Sequence, residues 1–183
     1  MTFSESIELD VKCLRKYFER LFLMAEESRK TQPVMPVNDK EDAWFVGQNV
    51  TNFIRPDMVC NIYGLVDFWL ARLCSFHKQK ANLSLNRSDI RGNSDLDAYH
   101  KYLTKVAVLD LQAVLPSFGH LESLRKVRNC FIHGGGHVEE EKLEKITSID
   151  GISLMGSLVV ISDDFIWNSL NHAQTYLVAA AKA

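Results

Sequence analysis

The chain has 183 residues, 46% of them hydrophobic and 24% charged, which fits one globular domain with its own core. Twenty-one Lys and Arg stand against 23 Asp and Glu, a formal charge of −2, so bulk charge does not hold this protein on nucleic acid. A local basic patch stays open. Cys13, Cys60, Cys74 and Cys130 form no CxxC pair, which reads as reduced thiols and neither a disulfide framework nor a zinc site. No metal or other cofactor is expected. No apolar run is read as approaching the ~18 residues of a membrane span. The opening MTFSESIELD is acidic where a secretory signal would be basic and then apolar. The expectation is a soluble cytoplasmic protein with no membrane partner.

In chain order, residues 4–30 place Ile7, Val11, Leu14, Phe18, Leu21 and Met24 three and four apart, one apolar stripe on an amphipathic helix that Ser4 could cap. Two prolines in TQPVMPVNDK predict a loop over 31–40, and 41–53 could form a short helix. Pro56 suits the first turn of a second long helix. Met58, Val59, Ile62, Leu65, Val66, Trp69, Leu70 and Leu73 make that helix apolar over a wide arc, as a central helix would be, with Asp67 the acidic residue in its middle.

Residues 81–94 predict a polar loop. Asp95 or Ser94 could cap a third helix carrying Leu96, Tyr99, Leu103, Val106 and Leu109 and fading before Pro116. Ser117 could cap a fourth through Leu121, Leu124, Val127 and Phe131, stopped by Gly134-Gly135-Gly136. GISLMGSLVVIS then reads as two short strands in a hairpin. Ser162 or Asp163 could cap a last helix with Phe165, Ile166, Leu170, Ala173, Leu177 and Val178 on its buried side. The sum is an all-α bundle of four to five helices with a small β-hairpin, one domain over 1–183.

Chemistry concentrates in Leu124-Arg125-Lys126-Val127-Arg128-Asn129-Cys130-Phe131-Ile132-His133-Gly134-Gly135. Asn129 and His133 lie one helical turn apart on one face, and Arg125 continues that stripe. Arg128 precedes His133 by five positions, about 140° round the helix. Its side chain must curl toward His133, or the two must meet across an interface with a second molecule. Imidazole exchanges a proton near neutral pH, and a guanidinium offers a fork of donors to phosphate oxygens. RNA carries its own nucleophile, the 2′-OH, so such a pair could cleave it without metal. The same residues also fit a structural role, since Arg near a helix C-terminus favours the macrodipole and His can cap carbonyls.

The run Arg128-Asn129-Cys130-Phe131-Ile132-His133 resembles the R-x4-6-H signature of the HEPN superfamily, in its form with a polar Asn after the Arg. Its place at the end of a late helix of a helical bundle, with glycines following, is similar too, and the likeness runs from about residue 4 to 182. The resemblance implies a metal-independent endoribonuclease of the toxin or abortive-infection type. It also implies a homodimer in which two motifs face each other in a composite site, and a possible cognate antitoxin or defence-system partner. Arg128 and His133 would be the catalytic pair, Asn129 their polar support, and Asp67 the acidic residue that many such nucleases carry on the second helix. Gly135 stands where some HEPN toxins have a modifiable tyrosine, so that form of control is not implied. Relatives that have lost catalysis supply an alternative, a module that binds a nucleotide or a partner protein.

Other readings are thinner. Lys78, Lys80, Arg87 and Arg91 surround the 81–94 loop with only Asp89 opposing them; Arg87 and Arg91 could follow an RNA backbone, or the loop could simply be solvated. Arg125 and Lys126 are the better candidates for phosphate contacts. His133-Gly-Gly-Gly-His137 lacks the G-x-S-x-G elbow of an esterase and any HExxH, and its glycines argue against one continuous helix holding a metal between the two imidazoles. Glu139-Glu140-Glu141 reads as the solvated start of a short helix.

Overall fold

The computed structural model describes residues 2–30 and 53–183. The loop expected at 31–40 and the short helix expected at 41–53, save Phe53, lie outside the described residues. Helix α1 (Phe3–Lys30) starts a residue before the stripe predicts because Thr2, not Ser4, closes its first turn. Thr2 Oγ1 accepts from the Glu5 N–H at 3.2 Å, and Glu5 Oε2 accepts from the Thr2 N–H at 2.7 Å, a reciprocal capping box. Ile7, Val11 and Phe18 are buried, whereas Met24 is 64% exposed, so the buried stripe stops short of the helix end.

Helix α2 (Arg55–Lys80) has Pro56 in its first turn as expected. An 18-residue window of it reaches a mean hydropathy of 1.2, long and apolar enough by length and composition to cross a membrane, a run that the sequence reading passed over. Burial of Met58, Val59, Ile62, Val66, Trp69, Leu70 and Leu73 inside the bundle accounts for that composition. At about 1.5–3 kcal/mol for each fully buried large aliphatic or aromatic side chain, this one stripe is a major part of the core.

Ser94 caps α3 (Asp95–Lys101), its hydroxyl accepting from the Asp97 N–H at 3.0 Å. The helix widens into a π-turn over Tyr102–Val106 and stops there, about ten residues before Pro116, with Val108 at φ +55° marking the break. Leu109, expected on the helix, lies past that end. Helix α4 (Leu115–Gly134) opens on Pro116 with no side-chain cap. Ser117 is inside its first turn and buried, its hydroxyl 3.0 Å from Nδ1 of His172, so it ties α4 to the last helix and caps nothing.

A 3₁₀ turn at Glu140–Lys142 and the short α5 (Leu143–Thr147) follow, as the acidic run implied. Strands β1 (Ile152–Met155) and β2 (Leu158–Ile161) pair antiparallel, Ile152 opposite Ile161 and Met155 opposite Leu158. Ser162 then caps α6 (Asp163–Lys182), accepting from the Phe165 N–H at 3.1 Å.

Helix α6, not α2, is the hub: α1, α2 and α4 all pack on it, while α2 packs also on α4. Phe165, Ile166, Leu170, Ala173, Tyr176, Leu177 and Ala180 are buried along it, and Val178 only partly. Its polar seam is satisfied by imidazoles from its neighbours. His120 Nε2 meets the wholly buried Ser169 hydroxyl at 2.9 Å, His100 Nδ1 meets the Tyr176 hydroxyl at 2.7 Å, and His77 Nε2 donates to the Ala180 carbonyl at 2.8 Å. The chain is thus mainly helical with one two-stranded hairpin among the described residues.

Candidate functional site

Leu121, Leu124 and Val127 turn one face of α4 into the core, which leaves Arg125, Lys126, Asn129 and His133 on the outward side. The helix ends where the glycines stand. Gly135 adopts φ +57°, its N–H donating to the Phe131 carbonyl at 3.1 Å, and the Gly136 N–H donates to the Cys130 carbonyl at 3.0 Å. The last carbonyls of the helix are thereby taken up, as a left-handed C-cap requires.

The glycines do more than stop a helix. They fold the chain back so that residues 136–138 run along the hairpin. The Val159 N–H donates to the Gly136 carbonyl at 2.9 Å, the Val138 N–H donates to the Ser157 carbonyl at 3.0 Å, and His137 bridges to Leu158. Nδ1 of His137 lies 2.8 Å from the Ser157 hydroxyl.

Between this returning segment, α5 and the end of α4 lies a groove of about 710 Å³. Arg125, Lys126, Asn129, Cys130 and His133 line it from α4, and His137, Glu139, Lys142 and Lys145 from the far wall. Cations dominate. Arg125 is partly neutralised by Glu122, its Nη2 3.0 Å from Oε2, and Lys142 pairs with Glu139. Lys126 and Lys145 are exposed. Burial pushes the Cys130 thiol up from its ordinary value, which leaves it a poor nucleophile among these groups.

Arg128 takes another direction. It leans on α2, its guanidinium carbon 5.4 Å from the centre of the Tyr63 ring, and its Nη1 donates to Oδ1 of Asn129 at 3.0 Å. It does not line the groove of His133, as the 140° offset implies. Asp67 sits on the exposed side of α2. Burial and then the Asp67 carboxylate raise the Tyr63 hydroxyl, against the charges of Arg125 and Arg128. Burial and Asp67 likewise push Tyr99 up to about 12. Arg128 therefore stands with Tyr63, and Asp67 with Tyr99, to which it is hydrogen-bonded, while Asn129 and His133 belong to the groove, with Asn129 the link to Arg128.

No family model, curated protein or solved structure matches this chain.

The 81–94 loop differs from a flexible basic strap. Arg87 is held by Asp95 at 2.7 Å and lies 4.2 Å from the Tyr99 ring centre, so Asp89 is not the only opposing charge. Asp89 instead closes a 3₁₀ turn through the Asn86 N–H at 2.7 Å, and the Tyr102 hydroxyl donates to the Leu85 carbonyl at 3.0 Å. Arg91 is exposed on this loop, away from the groove. Lys142 and Lys145 line the groove without having been candidates in the sequence, and His137, weighed there only as an esterase-loop or metal-binding residue, lines it too. Nothing local in the sequence places Lys142 and Lys145 opposite α4. Among the described residues, no three His, Cys, Asp or Glu side chains converge as metal ligands.

Proposed function

We propose that this chain is a metal-independent endoribonuclease of the HEPN toxin or abortive-infection type, acting as a homodimer in the cytoplasm. The observation that carries the reading is the cationic groove in which His133 and Asn129 stand together, with Asn129 hydrogen-bonded to Arg128 behind it. Because Oδ1 of Asn129 accepts from Arg128, its amide N–H groups are left for a ligand. RNA phosphates meet Lys126, Lys145 and Arg125 along the groove. His133 removes the 2′-OH proton, and the 2′-oxygen attacks phosphorus. The P–O5′ bond breaks, leaving a cyclic phosphate on one fragment and a hydroxyl on the other. Arg128, brought to the same phosphate in the facing pair of motifs, stabilises charge on its non-bridging oxygens. Asp67 is a further polar group of that face. A cognate antitoxin or defence-system partner would restrain the activity.

The test is cleavage of single-stranded RNA by the purified protein in excess EDTA, beside induced expression in a bacterial host. Cleavage and growth arrest that both vanish in folded His133→Ala support the reading. A folded wild-type protein that binds RNA or nucleotides without cleaving leaves the non-catalytic binding module in its place.

A further inference from the structure

We propose that His137 is a second proton-transfer group of the same site, the general acid that protonates the departing 5′-oxygen while His133 acts as base. The proposal rests on the ribonuclease reading above. A single imidazole must take the 2′-OH proton and deliver a proton on the opposite side of the phosphorus, where the leaving group departs in line. Two imidazoles divide that task, and this groove holds two, His133 on the wall formed by α4 and His137 on the wall formed by the returning chain.

Three features single out His137 from an ordinary surface histidine. Its backbone is fixed at both ends, its own N–H donating to the Gly134 carbonyl at 2.9 Å and the next residue pairing with Ser157. It makes the isolated bridge to Leu158, which welds the end of α4 to the hairpin. Its Nδ1 lies 2.8 Å from the Ser157 hydroxyl, which can accept from Nδ1–H of the imidazolium, so that Nε2 is the nitrogen left for a ligand of the groove that His137 lines. A protonated imidazole donates from both nitrogens, so this arrangement serves the imidazolium that a general acid must present. The Lys145 ammonium group on the same wall, where Lys142 is paired with Glu139, attracts the phosphate toward it.

The step balances. The 2′-O–H proton passes to His133 as the 2′-O–P bond forms. The P–O5′ bond breaks as Nε2–H of the His137 imidazolium passes its proton to the 5′-oxygen. The imidazoles exchange protonation states, and exchange with water resets them. Ser157 is a positioning residue.

The test uses two RNA substrates, one all-oxygen and one with sulfur as the bridging 5′ atom at the cleavage site. A thiolate leaves without needing a proton, so the sulfur substrate bypasses the general acid. Folded His137→Ala and His137→Gln should lose about 10²–10⁴-fold on the all-oxygen RNA and recover most of it on the sulfur RNA, whereas His133→Ala should be slow on both. Wild-type rates in the His137 variants, or equal losses on both substrates, overturn the role of His137 while leaving the ribonuclease reading intact. A wild-type protein that cleaves neither RNA removes both. Thermal unfolding of each variant separates lost chemistry from lost fold.

Discussion

Nη1 of Arg128 donates to Oδ1 of Asn129, its neighbour in sequence, at 3.0 Å, although the two side chains leave α4 about 100° apart. The bond ties Asn129, on the stripe that carries His133, to a guanidinium that leans on Tyr63 of α2. Removing the guanidinium in Arg128→Ala should cost about 10²–10³-fold in cleavage rate. Arg128→Lys should recover little, because an ammonium keeps the charge and loses the fork. Asn129→Ala should cost a few-fold to about a hundredfold, the range of one neutral to one charge-assisted bond. The double variants Arg128→Ala/Asn129→Ala and Arg128→Ala/His133→Ala should lose much less than the product of the single losses, since the groups act on one transition state. Independent, multiplicative losses in steady-state rates would show that Arg128 does not serve this site.

The divergence of Arg128 and His133 within one chain makes assembly decisive. The protein should be a two-fold symmetric homodimer with the end of α4 at the shared face. Mixing inactive Arg128→Ala and His133→Ala protomers should restore part of the activity. Light scattering that shows a monomer with full activity at micromolar concentration would discard the composite site.

The three consecutive glycines should respond unequally to alanine. Gly134 is helical with open space around its Cβ position, so Gly134→Ala should be neutral or stabilise by up to about 1 kcal/mol. Gly135→Ala forces φ +57° on an L-residue and should cost about 1–2 kcal/mol. Gly136 has φ +88°, and a Cβ there would sit 2.7 Å from Cε1 of Phe131 and 3.0 Å from Cδ1 of Leu158. Gly136→Ala should be the most destabilising of the three and should also slow cleavage, because it pushes the His137 segment off β2. Urea unfolding midpoints of the three variants check the order.

Acid should loosen the contact between α4 and α6. Burial, reinforced by the charge of the stacked His172 4.4 Å away and opposed by Asp150, lowers His120 from 6.5 to about 4. Burial lowers His100 and His77 as well. From about one pH unit above 6.5 these imidazoles are neutral whether folded or unfolded, and their contribution is complete. As pH falls from about 6.5 toward about 4, the unfolded chain takes up protons that the folded chain refuses, so stability falls with it. His120→Gln keeps a donor for Ser169 and removes the titration. Its Tm should fall less steeply than that of the wild type between pH 7 and pH 4.5 in thermal scans, and parallel slopes would show that His120 does not govern this window.

Periodicity and capping are local properties, and they made much of this fold legible beforehand. The stripes of α1, α2, α4 and α6, the cap at Ser94, the cap at Ser162 and the β1–β2 hairpin all follow from spacing and from side chains within a turn of the backbone groups they satisfy. The sequence misled where a residue suited to a local task was taken by a distant partner. Ser117 has the chemistry of a cap, yet His172 on α6 claims it, and Arg87, read as a loop cation, is held by Asp95 and Tyr99.

The candidate site divides the same way. The sequence by itself determined that Arg125, Asn129 and His133 share a stripe and that Arg128 points elsewhere, because 3.6 residues per turn leave no other choice. Only the tertiary structure decided what stands opposite that stripe. His137, Lys142 and Lys145 reach the far wall because positive φ at Gly135 and Gly136 reverses the chain and β2 supplies the hydrogen bonds that hold it there. Those bonds join residues about twenty positions apart, and pairing at that range is settled by the packing of the whole domain.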